Sequence, residues 1–226
     1  MDVFMYLFAT VCAYLIAGVN PAIILSKKIY HTDIRSLGSG NPGFTNFKRV
    51  FGNRYAWYVL LLDMLKAILA VAIFGWAFEH AFGMYQFGAA YTGLFAMLGH
   101  AYPIWYKFKG GKGFLVGAAT IWFVDWRAGI VALVIMMLLL FTLRYMSLSV
   151  ICAGVSCPIT LWVVGVDHIG VLLLSTLSLL FMVWRHKENI VRLCNGTESK
   201  FSLKKVTTKE QKDCMKENRY VPTKFE

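Results

Sequence analysis

Seven long apolar stretches, separated by short polar connections, constrain this chain more than any other feature. About 17–25 such residues are enough for one helix to cross the hydrocarbon of a bilayer. Hydrophobic residues make up 58% of the chain and charged residues only 15%, against about 45–50% and about 25% in soluble domains. The sequence therefore predicts an all-α integral membrane protein with seven transmembrane helices. The predicted spans are residues 3–25, 55–78, 87–104, 114–124, 128–143, 148–166 and 169–184.

The placement of lysine and arginine predicts how these spans are oriented. Of the 23 basic residues, 21 fall in alternate connections, namely 26–54, 105–113, 144–147 and everything after residue 184. Loops rich in lysine and arginine stay in the cytoplasm. We therefore expect the N-terminus outside and the C-terminus in the cytoplasm. The formal net charge of +11 then follows membrane topology, which argues against nucleic-acid binding.

A change of composition near residue 200 predicts two regions, a seven-span membrane domain over 1–200 and a basic cytoplasmic tail over 201–226. Such a tail can touch anionic lipid headgroups or simply solubilise the end of the chain. The five cysteines have no metal-ligand spacing, and their occurrence in apolar surroundings favours small buried side chains.

The first cytoplasmic connection reads GSGNPGFTN over residues 38–46 and is followed by Arg49. Its three glycines permit positive φ angles, which allow consecutive backbone N–H groups to converge on one anion. Short hydroxyl and amide side chains add donors, and the Arg49 guanidinium suits a phosphate. A plain hydrophilic turn is the alternative, but it needs no such density of donors. The spacing of a nucleotide-binding P-loop is absent.

Three further cytoplasmic segments carry groups of the same kind. His100 closes the third span, and the following connection, 108–113, combines three glycines with Lys109 and Lys112 just before a helix start, where anions are favoured. Ser147 follows the fifth span. His186 and Asn189 follow the seventh and would share one helix face at i, i+3 spacing. Four such connections on one side predict a site for negatively charged reactants at the lipid boundary.

Together these motifs resemble the bacterial acyl-phosphate-dependent glycerol-3-phosphate acyltransferases, which are seven-span enzymes of the inner membrane. The resemblance covers residues 1–201 and is specific, because the motifs occur in the right order and on the expected side of the membrane. They read Gly38-Ser39-Gly40-Asn41-x-Gly43-x-Thr45-Asn46-x-x-Arg49, Leu62-Asp63-x-Leu65-Lys66, Gly99-His100-x-x-Pro103, Phe108-Lys109-Gly110-Gly111-Lys112-Gly113, Arg144-Tyr145-x-Ser147-Leu148 and Arg185-His186-x-Glu188-Asn189-Ile190-x-Arg192-Leu193.

The resemblance implies the reaction of an acyl phosphate with glycerol 3-phosphate, which gives 1-acyl-glycerol 3-phosphate (lysophosphatidate) and phosphate. It implies no metal and no cofactor, and it places the catalytic groups at Ser39, Arg49, His100 and Lys112. The residues implied for the acyl phosphate are Ser39, Gly40, Asn41, Gly43, Thr45, Asn46, Gly110 and Gly111. Those implied for glycerol 3-phosphate are Arg49, Lys112, Ser147, His186 and Asn189.

The residues themselves favour direct attack by the glycerol hydroxyl, because none of these loops pairs a nucleophile with an orienting base. In the family the phosphate of the donor is thought to take the proton, with His100 as the weaker candidate. This chain departs from the family at Pro42, at Phe44, where alanine is usual, and at Phe114-Leu115-Val116, where small residues are usual. The bulkier side chains can reshape the path of the acyl chain.

Two other functions remain open from the sequence. A transporter or lipid-phosphate binding protein could use the same loops without chemistry, although repeat symmetry and helices broken at the midplane, which are typical of transporters, are not evident. A catalytically inert relative could keep the fold, although loss of function would be expected to erode Arg49, Lys112 or Asn189.

Overall fold

We describe a computed structural model, which covers residues 2–202 of the 226; the tail predicted over 201–226 lies almost wholly outside these described residues. Every regular element within 2–202 is helical, so the all-α prediction is confirmed for this part of the chain. The α-helices are α1 (Asp2–Gly18), α2 (Pro21–Tyr30), α3 (Phe44–Phe51), α4 (Asn53–Phe82), α5 (Tyr85–Ala101), α6 (Phe114–Val124), α7 (Trp126–Leu143), α8 (Met146–Val163), α9 (Ile169–Arg185) and α10 (Lys187–Cys194).

Four segments of the described chain are helical, long and apolar enough to cross a membrane: Asp2–Tyr30, Asn53–Phe82, Trp126–Leu143 and Met146–Val163. The pair α9 and α10 makes a fifth if its bend of 59° lies within one span. Helix α6 has 11 residues, which is as short as the sequence indicates. The count of seven spans and the orientation of the termini stay predictions.

The first predicted span, 3–25, is divided into two helices. Helix α1 ends at Gly18, and Asn20 caps the start of α2 by accepting a hydrogen bond of 3.0 Å from the Ile23 amide. Pro21 occupies the first position of α2, where its missing N–H costs nothing. Apolar content alone predicts one continuous span here, because it does not register the local stop that an Asn-Pro pair provides.

The described chain forms two compact units, residues 2–19 with 64–202 and residues 20–63. One core cluster of the larger unit is built mainly from small side chains, among them Ala13, Ala67 and Ala96, which are fully buried. Lipid provides no hydrophobic force between helices, so small residues that allow close backbone approach carry much of the packing. Gly99 of α5 is the sharpest case, because a Cβ there would overlap the backbone of Tyr14 in α1.

The smaller unit packs aromatic rings around α3. Tyr30 stacks on Phe51 with ring centroids 4.1 Å apart, and Phe47 lies 5.0 Å from Phe51. Phe44, one of the departures from the family, lies 5.2 Å from the ring of Trp57. The bulk of Phe44 is therefore matched within this unit, and the packing fixes α3, which carries several predicted site residues.

We expect Gly99→Ala to destabilise the protein by about 1–3 kcal/mol, because the added methyl group meets backbone that cannot move aside. Thermal unfolding in detergent measures the effect. Gly117→Ala is the matched control, since its Cβ would meet only the flexible side chain of Met97, with its Sδ 3.1 Å away. Equal melting temperatures for the two variants would contradict the close contact between α1 and α5.

Candidate functional site

Three of the residues that the sequence assigns to glycerol 3-phosphate converge in the larger unit. Lys112 donates a hydrogen bond to Asn189 Oδ1, and Asn189 Nδ2 donates to Glu198 Oε1 at 2.7 Å. Ser147 Oγ donates to the same carboxylate oxygen at 2.7 Å. These side chains come from the connection before α6, the first turn of α8, α10 and the segment after α10. The fold thus joins three distant parts of the sequence in one polar network.

Glu198 is the central residue of this network, and sequence reasoning missed it. Its second oxygen accepts a hydrogen bond of 2.8 Å from Arg192 Nε, and its side chain is only 9% exposed. Burial alone would raise the pKa of Glu198, but hydrogen bonds from Asn189, Ser147 and Arg192 bring it below the ordinary value. The carboxylate therefore stays ionised. The available sequence signal was the position of this acid within the basic stretch that follows the last predicted span.

Burial and nearby basic groups act on the pKa of Lys112 in the opposite direction to nearby acids. Burial lowers its pKa to about 8, and the positive charge of Arg192 adds to this effect, while Glu198 and Glu188 oppose it. The ammonium group has three N–H donors. In the described part of the chain one of them is committed to Asn189, so Lys112 retains donors that an oxyanion can accept.

His186 sits at the bend between α9 and α10 and is almost completely buried. Its Nδ1 lies 2.8 Å from the carbonyl oxygen of Met182. A carbonyl can only accept, so Nδ1 carries the proton, and Nε2 of the neutral ring is the acceptor. His186 also begins the turn that leads to Asn189, three residues on, as the predicted i, i+3 pairing requires.

Gly110 and Gly111 form a rigid rather than a free loop. Their amides donate to the carbonyl oxygens of Ala101 and His100, at 3.0 and 3.1 Å. A Cβ at Gly110 would overlap the His100 carbonyl, and one at Gly111 would overlap the His100 ring. Gly110 is thus required by close approach of two backbones and Gly111 by the His100 ring, and the N–H groups of both glycines are already engaged within the protein. Their contact with the acyl phosphate stays a prediction.

His100 is buried beneath this loop. Its Nδ1 lies 2.9 Å from Lys66 Nζ, which also donates to the carbonyl oxygen of Val19 at 2.7 Å. An ammonium group can only donate, so Nδ1 accepts and the neutral imidazole carries its proton on Nε2. The Val19 carbonyl belongs to the broken end of α1, so Lys66 satisfies a group that the interruption leaves unpaired.

The glycine-rich connection in the smaller unit takes the predicted positive φ angles at two of its three glycines. Gly38 and Gly40 have positive φ angles of 58° and 70°, whereas Gly43 is extended, with a φ of −143°. Asn46 joins the two ends of the loop, because its Oδ1 accepts from the Ser39 amide at 2.9 Å and its Nδ2 donates to the Leu37 carbonyl at 3.0 Å. Asn46 is buried, so its side chain holds the loop in shape.

The donors that this unit offers to an anion lie mainly at the start of α3. The amides of Gly40 and Gly43 donate to Leu37 and Asn41 within the loop, so the expected row of converging loop amides is largely used internally. An α-helix leaves its first-turn N–H groups unpaired, and in α3 these include Thr45 and Asn46. Ser39 and Arg49 are exposed, and Asn41 and Thr45 are half-buried.

Pro42, another departure from the family, takes part in holding this loop. Its carbonyl oxygen accepts a hydrogen bond of 3.1 Å from Asn20 Nδ2, and both residues are buried. Asn20 thereby joins the cap of α2 to the glycine-rich connection.

Among the described residues, 2–202, no three His, Cys, Asp or Glu side chains are grouped so that they could hold a metal ion.

Comparison with known proteins identifies relatives over most of the chain. The sequence model of the glycerol-3-phosphate acyltransferase family matches residues 7–196. Glycerol-3-phosphate acyltransferases from Rhodopseudomonas palustris strain BisB5 and Coxiella burnetii strain Dugway are 38% and 33% identical; each alignment covers 88% of this chain, and 98% and 99% of the respective relative.

Two solved structures have the same fold. Both are crystal structures of PlsY, described as an integral membrane glycerol 3-phosphate acyltransferase, one in its glycerol 3-phosphate form and one in its lysophosphatidic acid form. The first is 32% identical with a TM-score of 0.79, covering 87% of this chain and 96% of that one. The second is 31% identical with a TM-score of 0.75, covering 87% and 95%.

We expect the Lys112 amine to titrate near pH 8 in the substrate-free protein. Amine-reactive reagents attack only the neutral form, so its labelling, followed by mass spectrometry, should reach half its maximum near that pH. An unperturbed lysine would do so near about 10.4. Glu198→Gln removes a negative charge that raises the pKa of Lys112, and should move the midpoint to lower pH.

Glu79→Gln provides the control for the titration of Lys112, because Glu79 is an exposed residue near the end of α4 and is not one of the charges that shift the pKa of Lys112. This variant should leave the midpoint unchanged. A midpoint above pH 10 in the wild-type protein would contradict the buried position of Lys112.

Proposed function

Because this chain belongs to the glycerol-3-phosphate acyltransferase family, we propose that it transfers an acyl group from an acyl phosphate to glycerol 3-phosphate. It is an integral membrane acyltransferase of phospholipid biosynthesis. The products proposed here are 1-acyl-glycerol 3-phosphate and inorganic phosphate, which makes this the first acylation of the pathway. One of the similar PlsY structures is described as a glycerol 3-phosphate form and another as a lysophosphatidic acid form, in keeping with these reactants.

The network of Lys112, Asn189, Ser147 and Glu198 is the observation that carries the proposal. It holds a partly buried cation beside two neutral donors, and Glu198 fixes the orientation of both. The amide of Asn189 has a second N–H, and the ammonium of Lys112 retains donors for a ligand. A phosphate with several acceptor oxygens fits such a cluster, whereas an apolar ligand would leave it unsatisfied. We therefore assign the phosphate of glycerol 3-phosphate to Lys112 and Asn189.

The neutral acceptor on His186 suits the glycerol part of the same substrate. With Nδ1 committed to the Met182 carbonyl, Nε2 can accept a hydrogen bond from a hydroxyl group. Ser147 offers an oxygen that both donates and accepts. These two side chains would orient the substrate hydroxyls once the phosphate is bound. Arg49 belongs to the smaller unit, and its contact with glycerol 3-phosphate stays a prediction from the sequence.

The acyl phosphate is assigned to the glycine-rich connection and the start of α3. The unpaired first-turn amides and the positive end of the helix dipole favour an anion at this place. The hydroxyls of Ser39 and Thr45 and the amide of Asn41 are the exposed or half-buried side-chain donors nearby. Gly38, Gly40 and Asn46 shape the loop. Gly110 and Gly111 support Lys112, since their own amides are engaged.

The proposed chemistry is a direct transfer. The primary hydroxyl oxygen of glycerol 3-phosphate bonds to the acyl carbon, and the bond from that carbon to the phosphate oxygen breaks. The departing phosphate takes the hydroxyl proton, which balances the step without a protein base. The donor is an activated mixed anhydride, so the protein mainly positions two anions and offsets their charge. We assign His100 to supporting the loop, because its Nδ1 already accepts from Lys66.

The membrane arrangement proposed with this reaction has seven spans, with the N-terminus outside, the C-terminus in the cytoplasm and the site facing the cytoplasm of a bacterial inner membrane. The distribution of lysine and arginine supports this orientation. The short α6 and the broken α1–α2 segment would then be spans that depend on neighbouring helices for their polar ends.

Purified protein with palmitoyl phosphate and labelled glycerol 3-phosphate should form lysophosphatidate and phosphate. We expect Lys112→Ala and Arg49→Ala to lower kcat/KM by about 100-fold or more, because each removes a charge that holds substrate phosphate. Lys107→Asn is the control: it removes an exposed lysine of the same connection, and asparagine tolerates the positive φ of 58° at this position. Its turnover should match the wild type.

Well-folded wild-type protein that binds glycerol 3-phosphate without forming product would favour the alternative of a binding protein or transporter. Acyl-CoA tested alongside distinguishes the donor class. Wild-type rates in Lys112→Ala would show that the glycerol 3-phosphate site lies elsewhere.

The exposed Cys194, just after the last predicted span, reports on orientation. In a Cys214→Ser background, a membrane-impermeant maleimide should label Cys194 in inverted membrane vesicles and leave it unlabelled in intact spheroplasts. Asp167→Cys, on the opposite loop and with Cys194 also replaced by Ser, should show the reverse pattern. Labelling of both positions from the same side would contradict the proposed topology.

A further inference from the structure

We infer that Arg185 is a positioning residue for the reaction, acting through the backbone of the Gly110–Gly111 loop to hold Lys112 where it meets glycerol 3-phosphate. This inference rests on the proposed function. The sequence explains Arg185 as one of the basic residues that ordinarily follow a last span, and no substrate role was assigned to it. Its contacts within the larger unit point to a more specific task.

Arg185 binds the loop directly in front of Lys112. Its Nη2 donates to the Gly111 carbonyl at 2.9 Å and lies 3.5 Å from the Gly110 carbonyl. Its Nη1 donates to the Tyr102 hydroxyl at 3.1 Å, and the guanidinium carbon lies 4.9 Å from the centre of the Tyr102 ring. The carbonyl of Gly111 belongs to the peptide bond that leads into Lys112. Holding this oxygen therefore fixes the plane from which the lysine side chain starts.

Two adjacent glycines need such restraint, because glycine is the residue with the greatest backbone freedom. The amides of Gly110 and Gly111 are held by the carbonyls of Ala101 and His100 on one side of the loop. Arg185 holds the carbonyls on the other side. Both the amide donors and the carbonyl acceptors of the loop are thus held by hydrogen bonds. Lys112 comes directly after the loop, so its backbone position is fixed as well.

Arg185 also joins the loop to the helix that carries the partner of Lys112. It is the last residue of α9, and the chain turns by 59° into α10, where Asn189 accepts from Lys112. The planar guanidinium makes directed bonds to the loop and to Tyr102 together, which a lysine at this position could not do. The distance between Lys112 and Asn189 is therefore set at both ends by one rigid group.

Arg185→Gln tests the role, with Tyr102→Phe as a milder variant that removes only the hydroxyl. We expect Arg185→Gln to raise the KM for glycerol 3-phosphate about tenfold and to leave the KM for the acyl phosphate within about twofold. Tyr102→Phe should raise the first KM about two- to threefold. Arg185→Lys should fall between the wild type and Arg185→Gln. Lys187→Gln is the control, since this exposed neighbour contacts Trp184 and no part of the loop.

Hydrogen–deuterium exchange gives a second measurement that does not depend on turnover. In Arg185→Gln the peptide containing Gly110 and Gly111 should exchange faster, while peptides from α7 and α8 keep the wild-type rate. An unchanged loop together with an unchanged KM for glycerol 3-phosphate would overturn the inference. A uniform gain in exchange with both KM values raised alike would also overturn it, because that pattern indicates a general loss of stability.

Failure of the proposed function would be recognised separately. If the wild-type protein transferred no acyl group and yet Arg185→Gln loosened only the loop, the proposed acyl transfer would be wrong, whereas the hold of Arg185 on the loop would be supported. A wild-type enzyme that works, with an Arg185→Gln variant equal to it in both measurements, would remove the positioning role alone.

Discussion

Polar groups that this chain takes away from water must find their partners within the protein, and this requirement shapes most of the described structure. In hydrocarbon, a backbone N–H or carbonyl group without a hydrogen-bond partner costs several kcal/mol. This cost is a large fraction of the free energy of unfolding of a whole protein. Helices meet the requirement along their length, but their ends and breaks do not. The carbonyl of Val19, at the break after α1, is satisfied by Lys66, and that lysine is in turn placed against His100.

The same requirement explains why the site of the larger unit is a connected network. Lys112 is partly buried, so it needs acceptors and an opposite charge, and Asn189 and Glu198 provide them. Glu198 in turn is ionised and nearly buried, so it needs the donors of Ser147, Asn189 and Arg192. Each group provides a hydrogen bond or an opposite charge that offsets the cost of burying its neighbour. A network of this kind also makes its members rigid. The proposed reaction mainly requires that two anions are held in place, and a rigid arrangement of donors suits that task.

Individual residues show where sequence reasoning succeeds. Ser147, Lys112 and Asn189 could be picked from the sequence, because hydroxyl, ammonium and amide groups beside span ends that are predicted to lie on one side indicate an anion site. Gly38 and Gly40 were expected to take positive φ, and they do. Glu198 and Arg185 could not be assigned in this way. Their roles depend on partners 51 and 74 residues away along the chain, at Ser147 and Gly111, and no local pattern encodes such a contact.

The sequence by itself determined that the chain is a helical membrane protein of the glycerol-3-phosphate acyltransferase family, and which connections carry its polar groups. These properties follow from local composition and motif spacing, since hydrophobic length and the order of residues can be read without coordinates. Only the tertiary structure decided that the amides of Gly110 and Gly111 are engaged, that Asn46 closes its own loop, and that one carboxylate orients Ser147 and Asn189 together. The physical reason is that hydrogen-bond capacity is shared among neighbours in space, and those neighbours are set by how the helices pack.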